Sequence, residues 1–128
     1  SLKIPCSAKG ALFIIVVNGV NKLKWEYEKK EFAKFAKQYD DAVEQVTIKT
    51  ADGTKVRVDA IGIDKKTKEI VIKEFKSSKT APLTKNQRDG FPELKSGGGV
   101  VVGKGKGIFK GGFKIPKGTT VEVIRPLK

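Results

Sequence analysis

The chain has 128 residues, enough for one domain with a modest core, and carries 27 Lys and Arg against 14 Asp and Glu, a formal charge of +13. So basic a chain calls for an anionic partner: nucleic acid first, because each cation that neutralises a phosphate releases a counterion, with an anionic membrane surface or an acidic protein as the other candidates. It contains no histidine and a single cysteine, Cys6, which excludes His-dependent triads and nucleases, zinc sites that need His or several Cys, and an internal disulfide, and leaves carboxylate, lysine and hydroxyl chemistry with a hard divalent cation.

The apolar run from Ala11 to Val17 predicts a buried strand ended by Asn18-Gly19. It is far shorter than the ~20 residues that span a bilayer, so no membrane-spanning segment is expected, and it lacks the layout of a signal peptide. A chain that opens on Ser1 and holds no methionine is expected to be cut from a longer polypeptide. Lys24 to Tyr39 has helical spacing, with Trp25, Phe32, Phe35, Ala36 and Tyr39 on one face, and Asp40-Asp41 breaks the pattern. Three strands are then expected: Val46 to Lys49, Val56 to Ile63 and Ile70 to Phe75, joined by an Asp52-Gly53 turn and a polar turn from Asp64 to Lys68. Thr84 opens a second helix, which Gly90 and Pro92 should keep short. Residues 97–118 are rich in Gly and Lys with apolar islands at Val100–Val102 and Ile108-Phe109, and Val121 to Ile124 reads as a final strand. The order is helix, three strands, helix, strand, with an extra strand in front. This is an α+β fold, a mixed sheet flanked by helices, in a single domain spanning residues 1–128.

The second and third central strands carry the candidate chemistry. Residues two apart in a strand share a face, so Glu74 and Lys76 point the same way. If Ile63 pairs with Ile70, Asp59 falls opposite Glu74. Facing carboxylates repel, and a divalent cation between them reverses the sign of that energy. Lys76 would then orient an attacking water or steady charge on phosphate. Register decides the matter, since a slip of one residue sends the two acids to opposite faces. The plainer reading is a half-exposed hairpin with charges on its wet side.

The stretch Arg57-Val-Asp59, Ile70-Val-Ile-Lys-Glu74-Phe-Lys76 and Leu83-Thr-Lys-Asn-Gln87 resembles the core of the PD-(D/E)xK nuclease superfamily, known for a helix, three strands, a helix and a strand. More narrowly, Lys76 to Gln87 and the tail from Phe113 to Pro126 resemble restriction-endonuclease-fold toxin domains at the C-termini of bacterial polymorphic toxins of the Rhs and contact-dependent-inhibition kinds. The resemblance covers residues 24–126. It implies that Asp59 and Glu74 hold Mg²⁺ or Mn²⁺, that Lys76 serves the nucleophilic water and that Gln87 supports them from the second helix. Many members add a Glu from the first helix; Glu28 and Glu31 are both available, and Glu28, on the side of Trp25 and Phe32, is nearer the core face. Val58 stands where the family usually has proline. The resemblance further implies a DNA or tRNA substrate, a neutralising acidic immunity protein, and delivery from a secreted or surface-borne parent into the cytoplasm of a target bacterium.

Other readings stay open. Thr84-x-x-Gln87 is also a capping box, which explains Gln87 without catalysis. Ser77 and Ser78 either bind phosphate or end the strand. Gly98 to Lys104 fits the start of a P-loop, but Gly105 stands where a metal-binding hydroxyl is needed. The lysines of the same segment, Lys104, Lys106, Lys110, Lys114 and Lys117, suit a phosphate backbone or an ordinary surface loop. Against the nuclease stand a non-catalytic nucleic-acid-binding module and an interaction module for an acidic protein.

Overall fold

Helix α1 (Gly19–Gln38) passes into strand β1 (Tyr39–Thr50) with no residue between them. The computed structural model describes residues 19–126, with side chains from residue 24 onward, so the strand expected at 11–17 lies outside the described residues. Tyr39 leaves the helix because it pairs with Asp64 across the sheet, and its ring lies 4.6 Å from that of Phe35. Asp40-Asp41 does break a pattern, but inside a strand. The register shifts by one residue between Asp40 and Val43, and Asp41 takes a φ of 54°. The expected strand from Val46 to Lys49 is thus the middle of a 12-residue strand.

Strands β2 (Lys55–Asp64) and β3 (Ile70–Phe75) follow where the alternation predicts them. Helix α2 (Lys85–Gly97) runs for 13 residues through both Gly90 and Pro92, longer than expected. Pro92 lies on the exposed side, where the carbonyl it leaves without an N–H partner is open to water. Gly90 is where the helix touches the sheet: a Cβ there would lie 2.4 Å from Val56 Cγ1. Gly98 ends the helix with a φ of 70° and donates its amide to the Leu94 carbonyl at 2.8 Å.

The Gly-Lys segment holds short strands: β4 (Gly99–Val101), the β5–β6 hairpin (Gly105–Lys106 and Phe109–Lys110) and β7 (Lys114–Ile115). The P-loop-like residues therefore lead from α2 into β4 and are followed by a hairpin, with no helix to receive a phosphate. Strand β8 (Val121–Ile124) closes the fold. Six strands form one mixed sheet in the order β7-β4-β1-β2-β3-β8, antiparallel except for the parallel pair β3–β8.

Two cores result, one on each face. Val46, Ile48, Val56, Val58, Ile61 and Ile72 pack with Phe91 and Leu94 of α2, together with Phe109 and Ile115. Ala60 and Phe75 pack with Phe35 of α1. The fold is α+β, a curled mixed sheet with two helices among the described residues, and none of those helices is long and apolar enough to cross a membrane.

The Gly90 contact makes a prediction about stability. Helix propensity alone favours Ala over Gly by about 1 kcal/mol. Overpacking against Val56 outweighs it, so Gly90→Ala should cost about 1–3 kcal/mol in a urea unfolding curve. A gain in stability would mean that α2 is free to move away from β2.

Candidate active site

Strands β2 and β3 part company at one end of the sheet. They pair from Ile63–Ile70 to Ala60–Lys73, the register expected from the sequence, and the ladder stops one step short of Asp59 and Glu74. Asp59 fills the gap with its side chain: Oδ2 accepts the Phe75 amide at 2.7 Å, and Oδ1 accepts Gln45 Nε2 at 3.3 Å. Gln45 faces Asp59 from β1 and has a φ of 60°. Around this pair the strand changes its allegiance, with Val58 in the α2-side core and Ala60 in the α1-side core. The twist and the splay together open the sheet beside Asp59.

Glu74 sits in the opening with 4% of its surface exposed. Its Oε2 accepts Gln87 Nε2 at 2.6 Å and lies 3.6 Å from Lys76 Nζ. Its Oε1 is buried and makes no hydrogen bond of normal geometry. Gln87 comes from the first turn of α2, and the capping box is present: its Oε1 accepts the Thr84 amide at 2.9 Å, and its own amide donates to Thr84 Oγ1 at 3.2 Å. The same Oε1 accepts Lys76 Nζ at 3.1 Å. Helix capping and site support are therefore one arrangement.

These groups border a cavity of about 510 Å³. Asp59, Glu74, Lys76 and Gln87 line it, and Glu28 enters from α1. Glu31 does not line it and pairs with Lys34 at 2.9 Å. Ser78 caps the chain after β3, its hydroxyl accepting the Ala81 amide at 2.9 Å and its carbonyl accepting Arg125 at 3.0 Å, which fits the strand-ending reading. Lys104, Lys106, Lys110 and Lys114 are exposed on the β4–β7 segment, and none of them borders the cavity. Trp25, expected in the core, is half-buried, with Lys29 Nζ 6.0 Å from its ring centre.

Burial dominates the electrostatics. The Glu74 carboxyl is pushed up to about 7 by burial first and by the charge of Asp59 second; Lys76, the Gln87 amide and the Asp59 backbone pull the other way. Burial also raises Asp59, against the Phe75 amide and Lys76. Glu28 is raised by burial and then by Asp59. Three acids are thus held above their ordinary values around one buried ammonium, Lys76, whose side chain is 12% exposed. The buried, unpartnered Glu74 oxygen and this surplus of hard oxygen donors fit a divalent cation. Among the described residues no three His, Cys, Asp or Glu side chains gather closely enough to hold an ion; Mg²⁺ commonly takes one or two carboxylates and keeps its waters.

Against protein-family models, curated proteins and solved structures, the chain matches none.

Lys24, Gln45, Lys55 and Arg57 are among the cavity residues to which the sequence assigned no role. Lys55 and Arg57 alternate with Asp59, and Lys24 precedes Glu28 by one helical turn, so their placement was available from spacing. Gln45 was not, because its role depends on a left-handed backbone that no local motif announces.

Glu74 yields a pH prediction for the metal-free protein. Its value is raised on folding, so the native state binds the extra proton between about pH 4.5 and 7. The stability linked to it is fully present below pH 4.5 and is lost as pH rises through 7. Glu74→Gln keeps an acceptor for Gln87 and removes the charge. In chelator its melting temperature should exceed that of the parent at pH 8, with the difference vanishing near pH 4. An equal difference at both pH values would show that Glu74 does not titrate this way.

Proposed function

We propose that the protein is a metal-dependent nuclease that hydrolyses phosphodiester bonds of DNA or RNA at the Asp59–Glu74 cavity. The observation that carries the reading is a buried carboxylate, Glu74, one oxygen of which has no partner, beside the half-buried Asp59 and a lysine held in place by Gln87. A structural hairpin has no use for such a pair, since burying carboxylates without compensation is costly.

Asp59 and Glu74 would hold the cation, Mg²⁺ or Mn²⁺, which when bound would acidify water and neutralise charge on phosphate. Asp59 is fixed by the Phe75 amide and Gln45, so its geometry is set before any ligand arrives. Lys76 directs its ammonium into the cavity within reach of Glu74, where it orients the attacking water and stabilises the charge that develops on the phosphoryl oxygens. Gln87 fixes both Lys76 and Glu74 and so acts through them. Glu28 borders the same space and adds acidity on the α1 side. The succession α1, β1–β3, α2 and, after the short strands β4–β7, β8 supports the reading too, since apart from those four strands it is the order that the resemblance to PD-(D/E)xK nucleases implies. On that resemblance the domain acts as the toxic end of a polymorphic bacterial toxin in the cytoplasm of a target cell, held in check by an acidic immunity protein drawn to its charge of +13.

The test is cleavage of plasmid DNA and of total tRNA by the purified protein with Mg²⁺, Mn²⁺ or chelator. One substrate should be cut only with metal, and Asp59→Ala or Lys76→Ala should slow the reaction at least about a hundredfold. Cutting that survives chelation or both substitutions would overturn the assignment. Binding of both nucleic acids with no cutting under any metal would favour a non-catalytic binding module.

A further inference from the structure

Among the described residues, part of one sheet face is left uncovered. In the β1–β2 hairpin, Val46, Ile48, Val56 and Val58 are buried toward α2, so the residues between them point the other way. Helix α1 reaches that second face only further along, over Ala60 and Phe75. The uncovered stretch ends at Asp59 and is basic: Lys49 faces Lys55 across the ladder, and Thr47 faces Arg57. Lys24 of α1 flanks it, and Lys24, Lys55 and Arg57 all line the cavity. Like charges directly opposite in a ladder are unfavourable, and one acid on the face would relieve them. Among the described residues Lys24, Lys49, Lys55 and Arg57 make no ion pair, and the cavity acids act on them only through longer-range charge, Glu28 on Lys24 and Arg57 and Asp59 on Lys24.

Lys55 and Arg57, two residues apart on β2, are spaced by about 7 Å, a step that suits the regularly spaced phosphates of a nucleic-acid backbone. We infer that a nucleic-acid strand lies along β2, its phosphates on Arg57, Lys55 and Lys24, and is led by this row to the Asp59–Glu74 cavity. The row binds backbone and reads no base, so the ligand is a polynucleotide of any sequence. The inference rests on the nuclease reading for the identity of the ligand, and it sets the substrate track on β2, away from the Gly-Lys segment that composition alone favours.

The test is fluorescence anisotropy of labelled single-stranded DNA and RNA in chelator across a salt series, with Lys24→Gln, Lys55→Thr and Arg57→Thr beside the parent protein. Threonine suits an exposed strand position, and thermal melts check folding. Lys66→Thr, in the turn at the far end of β2, removes the same charge outside the row. Each row variant should weaken binding about three- to tenfold and lower the slope of log affinity against log salt by about 1, with Lys66→Thr near the parent. Loss of affinity in Lys104→Thr or Lys110→Thr with none in the row variants would overturn the inference, as would absence of binding by the parent. Binding through the row without metal-dependent cutting would sink the nuclease reading alone. Cutting that ignores the row would sink the track alone.

Discussion

A carboxylate withdrawn from water at the mouth of an opened sheet, with one oxygen tied down and the other not, sets the terms for everything near it. Removing an acid from water costs several kcal/mol unless charge or hydrogen bonds replace the solvent. Around Glu74 that replacement comes from two directions, Lys76 just past the end of β3 and Gln87 from α2, and it is incomplete. Asp59 makes the balance worse by adding like charge, and it stays because the Phe75 amide would otherwise lose its partner where the ladder ends. The site is therefore under electrostatic stress in its resting form, and the strands, turn and helix cap that hold it are what resist that stress.

The opening itself follows from backbone geometry. A flat ladder continued past Ala60 would pair Asp59 with Glu74 through their backbones and close the space between the strands. The left-handed Gln45 on β1 turns the hairpin, Val58 and Ala60 go to different cores, and the end of β3 is free to follow β8 instead. Two layers of helix then approach the same gap from opposite faces, which is how Glu28 and Gln87, 59 positions apart in sequence, come to border one cavity.

Much of this was legible in residue order. Alternation located β2 and β3, the pairing of Ile63 with Ile70 fixed their register, and Thr84-x-x-Gln87 announced a capped helix. Local propensity failed where tertiary contacts outweighed it. Asp40-Asp41 ends a helical pattern but is absorbed as a bulge because the flanking residues pair with β2. Gly90 and Pro92 look like breakers, yet one is a packing contact and the other faces solvent. Composition drew attention to the lysines of residues 104–114, whereas the cations that border the cavity are scattered over α1, β2 and the residue after β3, where only the fold brings them together.

Gln87 narrows what evolution can do at one position. Its oxygen must accept from the Thr84 amide to start α2, while its nitrogen must donate to Glu74. Glutamate would satisfy the first demand and set a fourth acid against the other three; lysine would meet the second and leave the helix start open. Drift at residue 87 is thus confined to a side chain that both gives and receives at glutamine's reach, and a lineage that relinquished the chemistry would still be held by its helix to glutamine or glutamate there.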